Sequence, residues 1–269
     1  MRYLSRSLTT LLTLFALHAV AVEPAVVPVF DAIDHVELKV ADPNRSLAFY
    51  THLFGAAVLA PKQGEQRYLQ LGSSFVTFVP DRNAKTDHVS ISARPFDGAA
   101  LQDWYKREAL TVETLAGGKA LQVRDRDDTR VQVVPAAGWE TLVAAGAVKQ
   151  GDNRPGLFHP LLIDEIYLTV TNLEVDSLHY ARLLGKSGTL QSGSLWFPFG
   201  SARLRLGQAP VGQKAGFNYF SVLVSSTDLN TAADAVFKSG GIIEDILPNG
   251  FSFWDPDGIR VEIHVAGQF

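Results

Sequence analysis

"IDHVELKV" (residues 33–40) returns far down the chain as "IDEIYLTV" (residues 163–170), and that echo decides the fold. Each copy leads into a helix-like stretch ending in "LFG" or "LLG". Each half closes on a matching strand, "RVQV" at 130–133 and "RVEI" at 260–263, so the offset is 130 residues at both ends. A chain of 269 residues has room for two domains of that size.

The repeat divides again. "ADPNRSLAFYTHLFG" predicts a helix with Asp42 as N-cap, Pro43 at the first helical position and Gly55 as stop, with Leu47, Tyr50 and Phe54 on one face. The same strand, cap and helix recur with Asp97 as cap and Leu101, Trp104 and Tyr105 as the buried stripe. They recur between Asn172 and Gly185, and again from Asp228 to Gly240-Gly241. Short alternating segments with turn signals lie between, such as "RYLQLGSSFVTFVP" and "GFSFWDPDGIRVEIHV". The chain therefore reads as α+β: four βαβββ modules paired into two domains, residues 30–135 and 161–269, joined by a Gly- and Ala-rich linker at 136–160.

Alternation assigns the faces. Val36, Leu38 and Val40 oppose His35, Glu37 and Lys39; Ile166, Leu168 and Val170 oppose Glu165, Tyr167 and Thr169. His88 lies on the polar side of its strand, as do Gln132 and Glu262. Helices cover the apolar face, and the polar face is left to line a concavity.

Composition bounds the chemistry. The chain is 46% hydrophobic and 19% charged, as a globular protein is, and its formal charge of −4 with no basic tract gives nucleic-acid binding no electrostatic support. Arg2 and Arg6, the apolar stretch Leu8–Leu17 and Ala19-Val20-Ala21 stand in the order of a cleaved export signal, residues 1–21. The other reading of this segment is an uncleaved anchor, which its short apolar run disfavours. The expected product is periplasmic or secreted, with no stable membrane anchor. Without cysteine there is no lipid anchor, and cleavage after Ala21 also removes Met1, the one methionine. Any metal is then held by nitrogen and oxygen alone.

With these features in place, the chain from Ile33 to Val265 resembles the vicinal oxygen chelate superfamily of glyoxalase I, bleomycin-resistance proteins and extradiol dioxygenases. "DHVELKVADPNRSLAFY" and "FWDPDGIRVEIHV" carry the resemblance. It implies paired βαβββ modules forming a U-shaped sheet around a divalent metal, and two domains in the extradiol arrangement. Carried over by position, His35, His88 and Gln132 are the candidate metal ligands, where the extradiol pattern has His, His and Glu. A neutral amide donates less than a carboxylate, so Gln132 fits glyoxalase-type sites better than ring-cleaving ones. Glu37, on the His35 face, is the candidate catalytic base. Fe, Zn, Ni or Mn would serve as the ion.

The second half offers Glu165, Tyr219 and Glu262 at the same positions, with Arg203 and Arg205 on the neighbouring strand. An arginine among carboxylates neutralises them without a captured cation. That cleft is expected to be salt-bridged and metal-free, with Glu165, Arg205, Tyr219 and Glu262 as candidate substrate-binding residues. His264 either reaches a ligand or lies beyond the cleft in solvent. Module pairing is open: sequential pairing groups His35, His88 and Gln132, whereas crosswise pairing groups His35 with Tyr219 and Glu262.

The expected function is that of an exported, divalent-metal-dependent enzyme of isomerase, lyase or dioxygenase type acting on a small oxygen-chelating substrate. The alternative is a metal-free protein that sequesters a small molecule, with Trp196, Phe197 and Trp254 available to stack on it. Neither reading fixes the oligomeric state; a homo-oligomer is compatible with both.

Overall fold

The computed structural model describes residues 28–55, 58–61, 66–136, 148–150, 156–225 and 228–267. The expected export signal and most of the linker lie outside the described residues.

The first half forms β1 (Val29–Val40), β2 (Val58–Pro61), β3 (Arg67–Leu71), β4 (Ser74–Pro80), β5 (Lys85–Arg94), β6 (Val112–Leu115), β7 (Ala120–Arg124) and β8 (Arg130–Pro135). With β9 (Val148–Gln150) they make one sheet in the order β6-β7-β8-β5-β1-β4-β3-β2-β9. The second half forms β10 (Pro160–Val170), β11 (Thr189–Gln191), β12 (Ser194–Phe199), β13 (Ala202–Gln208), β14 (Gly216–Val224), β15 (Ile242–Leu247), β16 (Gly250–Trp254) and β17 (Arg260–Val265). Its order is β11-β12-β13-β10-β14-β17-β16-β15. Modules thus pair in sequence: β1 runs antiparallel to β5, and β10 antiparallel to β14. Crosswise pairing is excluded. The linker also does more than connect, since β9 extends the first sheet beside β2.

Four helices follow the expected punctuation: α1 (Pro43–Phe54), α2 (Gly98–Arg107), α3 (Leu173–Leu184) and α4 (Leu229–Lys238). Asp42, Asp97, Asn172 and Asp228 each accept from backbone N–H groups of the first turn. Gly55 and Gly185 end their helices in the left-handed conformation. Ile33, Val36, Leu38 and Val40 are fully buried, and one apolar core runs through both halves. Each such side chain contributes roughly 1.5–3 kcal/mol by leaving water.

The halves are clasped twice, by reciprocal contacts. In the turn between β16 and β17, Asp255 Oδ1 accepts from the N–H groups of Asp257 and Ile259, while Oδ2 accepts from Tyr50 Oη of α1 at 2.8 Å. Between β7 and β8, Asp125 does the same with Asp127, Thr129 and, at 2.7 Å, Tyr180 of α3. Each residue of one clasp stands 130 positions from its counterpart. Two glycines bring the backbones together at the junction. A Cβ on Gly72 would lie 1.8 Å from the Leu161 carbonyl oxygen, and one on Gly200 1.7 Å from that of Asp31. Ser74 Oγ completes the junction, donating to Ile33 O at 2.7 Å and accepting from Ile163 N at 3.1 Å.

Candidate functional site

Two β-bulges shape the first cleft. The register slips between Ile33 and His35 on β1, and between Glu37 and Leu38 opposite Asp87 on β5. A bulge lets two successive side chains escape strict alternation. Asp34 therefore reaches the side of His35, and Asp87 the side of His88. His35 Nδ1 lies 2.7 Å from Asp34 Oδ1, and His88 Nδ1 lies 3.2 Å from Asp87 Oδ2. The opposite ring nitrogens converge, with His35 Nε2 and His88 Nε2 3.1 Å apart. Phe75 stacks on the His35 ring at 4.5 Å.

When each Nδ1 carries the proton that its carboxylate accepts, both Nε2 atoms present lone pairs to the same point. Two nitrogens about 2.1 Å from one ion and at right angles around it stand about 3.0 Å apart. The pair thus has the spacing of adjacent ligands on one cation. Ser90 extends the row: it pairs in register with His35 on one side and Gln132 on the other. Its hydroxyl is buried without a hydrogen-bond partner. Gln132 is half-buried on the same face, one strand from His88 and diagonal to it. These residues fit a divalent ion.

A second grouping, Glu37, Asp87 and His88 through Nδ1, also brings its donor atoms within 4.8 Å of one another. Cations already fill that position: Asp87 takes Lys39 Nζ at 2.6 Å and Arg130 Nη1 at 3.0 Å. His88 and then Lys39 and Arg130 hold its carboxyl well below the usual range despite burial. Asp87 is thus an outer partner of His88. Glu37 sits 3.6 Å from His88 Nδ1. Burial pushes its carboxyl up, against the opposing pull of His88. Sequence reasoning placed His35, His88, Glu37 and Gln132 on one face. It missed Asp34 and Asp87, although "DH" is repeated at both positions.

The second cleft uses the same bulges with other residues. Glu165, 1% exposed, accepts from Tyr219 Oη at 2.6 Å and from Arg203 Nε at 2.6 Å. Arg205 Nη1 reaches Tyr219 Oη at 3.2 Å. Glu262 pairs with Arg260 at 3.0 Å and with His264 Nε2 at 3.4 Å, while His264 Nδ1 meets Asp164 at 2.8 Å. Burial opposes the charge on His264, but Asp164 and Glu262 overcome it and raise its pKa to about 9. His264 is buried in this network rather than in solvent. The expected salt-bridged cleft is what the geometry shows.

Of the aromatics, Phe197 is a core residue, fully buried. Trp196 is covered by the guanidinium groups of Arg203 and Arg205, at 4.9 and 5.0 Å from its ring. Trp254 lines a cavity of about 470 Å³ where the halves meet. That cavity borders the first cleft at Asp87, His88 and Arg130 but is not the space between the histidines. Of the two histidines expected on helix surfaces, His52 is exposed, whereas His179 is half-buried and packs edge-on against Tyr180.

Residues 32–146 match the model of the Glyoxalase/Bleomycin resistance protein/Dioxygenase superfamily, the family that the sequence motifs resemble. Solved structures extend the fold to the rest of the chain. The 2,3-dioxygenase LapB from Pseudomonas sp. KL28 is 16% identical with a TM-score of 0.64, covering 88% of this chain and 92% of its own. A catechol 2,3-dioxygenase is 14% identical at 0.68, covering 89% of each chain. The Mn(II)-bound glyoxalase from Novosphingobium aromaticivorans is 15% identical at 0.67, covering 88% of this chain and 83% of that one. No curated protein sequence matches.

Proposed function

We propose that the first domain holds a divalent metal between His35 and His88, with Gln132 as third ligand, and acts on a small substrate with neighbouring oxygens. One observation carries this reading: two imidazoles, each backed by a carboxylate at Nδ1, present their Nε2 atoms 3.1 Å apart. A bound ion would supply Lewis-acid polarisation of the chelated oxygens. The chain supplies the rest. Phe75 closes one side of His35, and the Ser90 hydroxyl is available to donate into the cleft. Glu37 is a sheltered carboxylate whose raised pKa suits a group that takes up and returns a proton at its Oε atoms. Isomerase, lyase and dioxygenase chemistry all start from this arrangement, and the neutral amide of Gln132 favours the first two.

The second domain lends support without metal. Its carboxylates are neutralised by Arg203, Arg205 and Arg260, so Glu165, Arg205, Tyr219 and Glu262 serve as a polar wall for substrate. We place the protein outside the cytoplasm, as the order of charge, apolar run and small residues in 1–21 supports. Intact mass of the product recovered from the periplasm or medium tests this, and a full-length cytosolic product would refute it.

Elemental analysis of the purified protein tests the metal. Near one equivalent of Fe, Zn, Ni or Mn, lost in His35→Ala and in His88→Ala, is the expected result. The metal-free sequestering reading has one observation in its favour: 3.1 Å is also a hydrogen-bond distance between two histidines. It predicts no metal in the parent and no response to added metal.

A further inference from the structure

We propose that Asp34 and Asp87 are positioning residues that commit both histidines to binding through Nε2. The inference deepens the proposed metal site and rests on it. Both aspartates occupy bulge positions immediately before their histidines, and both side chains are more than nine-tenths buried, at 7% and 9% exposed. A buried carboxylate needs hydrogen-bond donors, and the Nδ1–H of the adjacent imidazole is one. Donation there fixes the tautomer and the ring rotation together.

The second domain is the natural control. Its matching bulges carry Asp164 and Asn218, each ahead of a residue that is not histidine. There Asp164 turns to His264 and to Ser221 Oγ, at 2.8 and 2.7 Å, while Asn218 accepts from Arg260 at 3.4 Å. The bulge delivers a polar group to the cleft in all four cases. Only in the first domain does it meet a ring whose far nitrogen faces a second ring. Asp87 is further anchored by Lys39 and Arg130, so its replacement loosens two cations, and Asp34 is the cleaner probe.

The test is titration of the full-length mature protein with Co(II), read by its visible absorption and by proton NMR. In the parent, two solvent-exchangeable, hyperfine-shifted resonances are expected, one from each Nδ1–H. Asp34→Leu should weaken Co(II) binding about 10–100-fold, the usual cost of removing an outer carboxylate, and remove one exchangeable resonance. Asp34→Asn, whose amide oxygen still accepts from Nδ1–H, should recover most of the affinity and the resonance. A circular dichroism melt for each variant separates loss of fold from loss of positioning. A parent that binds no Co(II) overturns both the metal reading and this proposal. A parent that binds, with Asp34→Leu unchanged in affinity and spectrum, overturns the positioning role alone.

Discussion

The two clefts are one scaffold carrying opposite electrostatic solutions. Strand register, bulges and helix caps match from half to half, and the ion pair of Arg130 with Asp87 has its counterpart in a hydrogen bond from Arg260 to the neutral amide of Asn218. What differs is the group following each bulge. In the first half it is histidine twice, and the two Nε2 atoms face each other 3.1 Å apart. In the second it is Glu165 and Tyr219, and arginines fill the equivalent space. A sheet that must bury polar groups can satisfy them with protein cations or with a captured one; the second cleft uses protein cations, and the metal proposed for the first would be the other answer.

The comparison breaks most directly at the histidines. His35→Ala and His88→Ala should each abolish metal binding in a calorimetric titration, because the two remaining ligands compete poorly with water. Glu262→Gln should leave it unchanged. Metal lost from Glu262→Gln and retained in His35→Ala would invert the assignment of the two clefts.

The second cleft can be probed by pH. The folded pKa of His264 is raised to about 9, above its unfolded value of about 6.5. Its stabilising contribution is then complete below pH 6.5 and is lost as pH rises through 9. That window is worth on the order of 3 kcal/mol at most. The unfolding free energy of the parent relative to His264→Gln should therefore shrink between pH 6.5 and 9, measured by urea denaturation. A difference that stays flat across that range would mean that the network does not hold a charged imidazole.

Much of this was legible because local rules acted locally. Asp42, Asp97, Asn172 and Asp228 announce their helices by side-chain chemistry within one turn, and Val36, Leu38 and Val40 announce their face by alternation. The bulges were not legible. Strict alternation puts Asp34 on the core side with Val36, and only the burial of both Ile33 and Val36, three residues apart, betrays the extra residue. The "DPDG" turn was read as a family marker, yet its Asp255 also serves a tyrosine 205 residues away. No local pattern encodes a contact of that separation. Phe197 resolves to the core for a related reason, since an aromatic in an alternating strand reads alike as stacking platform and as core until its partners are known.

The clasps extend the comparison to stability. Tyr50→Phe and Tyr180→Phe each remove one hydrogen bond to a carboxylate, costing about 1.5–3 kcal/mol. Asp255 already has a pKa raised to about 6 by burial, and losing Tyr50 raises it further, so protonation favours the folded variant. The deficit of Tyr50→Phe against the parent should therefore be largest above pH 6 and shrink as pH falls through it. Equal urea midpoints for the parent and both variants would show that the clasps add nothing to the rest of the junction.

The smallest expected effect bears on the exchange that separates the clefts. Gln132 and Glu262 occupy equivalent places on β8 and β17, and they differ by one charge. In the second half that charge is answered by Arg260 and His264. In the first half, at the diagonal position to His88, a carboxylate would add an anionic oxygen to two histidines, the set suited to Fe(II). Gln132→Glu should therefore tighten metal binding by about tenfold, or 1.4 kcal/mol, without altering the fold. The reverse charge step, Glu262→Gln, should change stability and not metal affinity. If Gln132→Glu binds metal no better than the parent, Gln132 does not face the ion, and the third ligand must come from Glu37 or from the substrate. If the parent binds nothing and Gln132→Glu also binds nothing, the histidine pair is a hydrogen-bonded pair, and the sequestering protein is the better account.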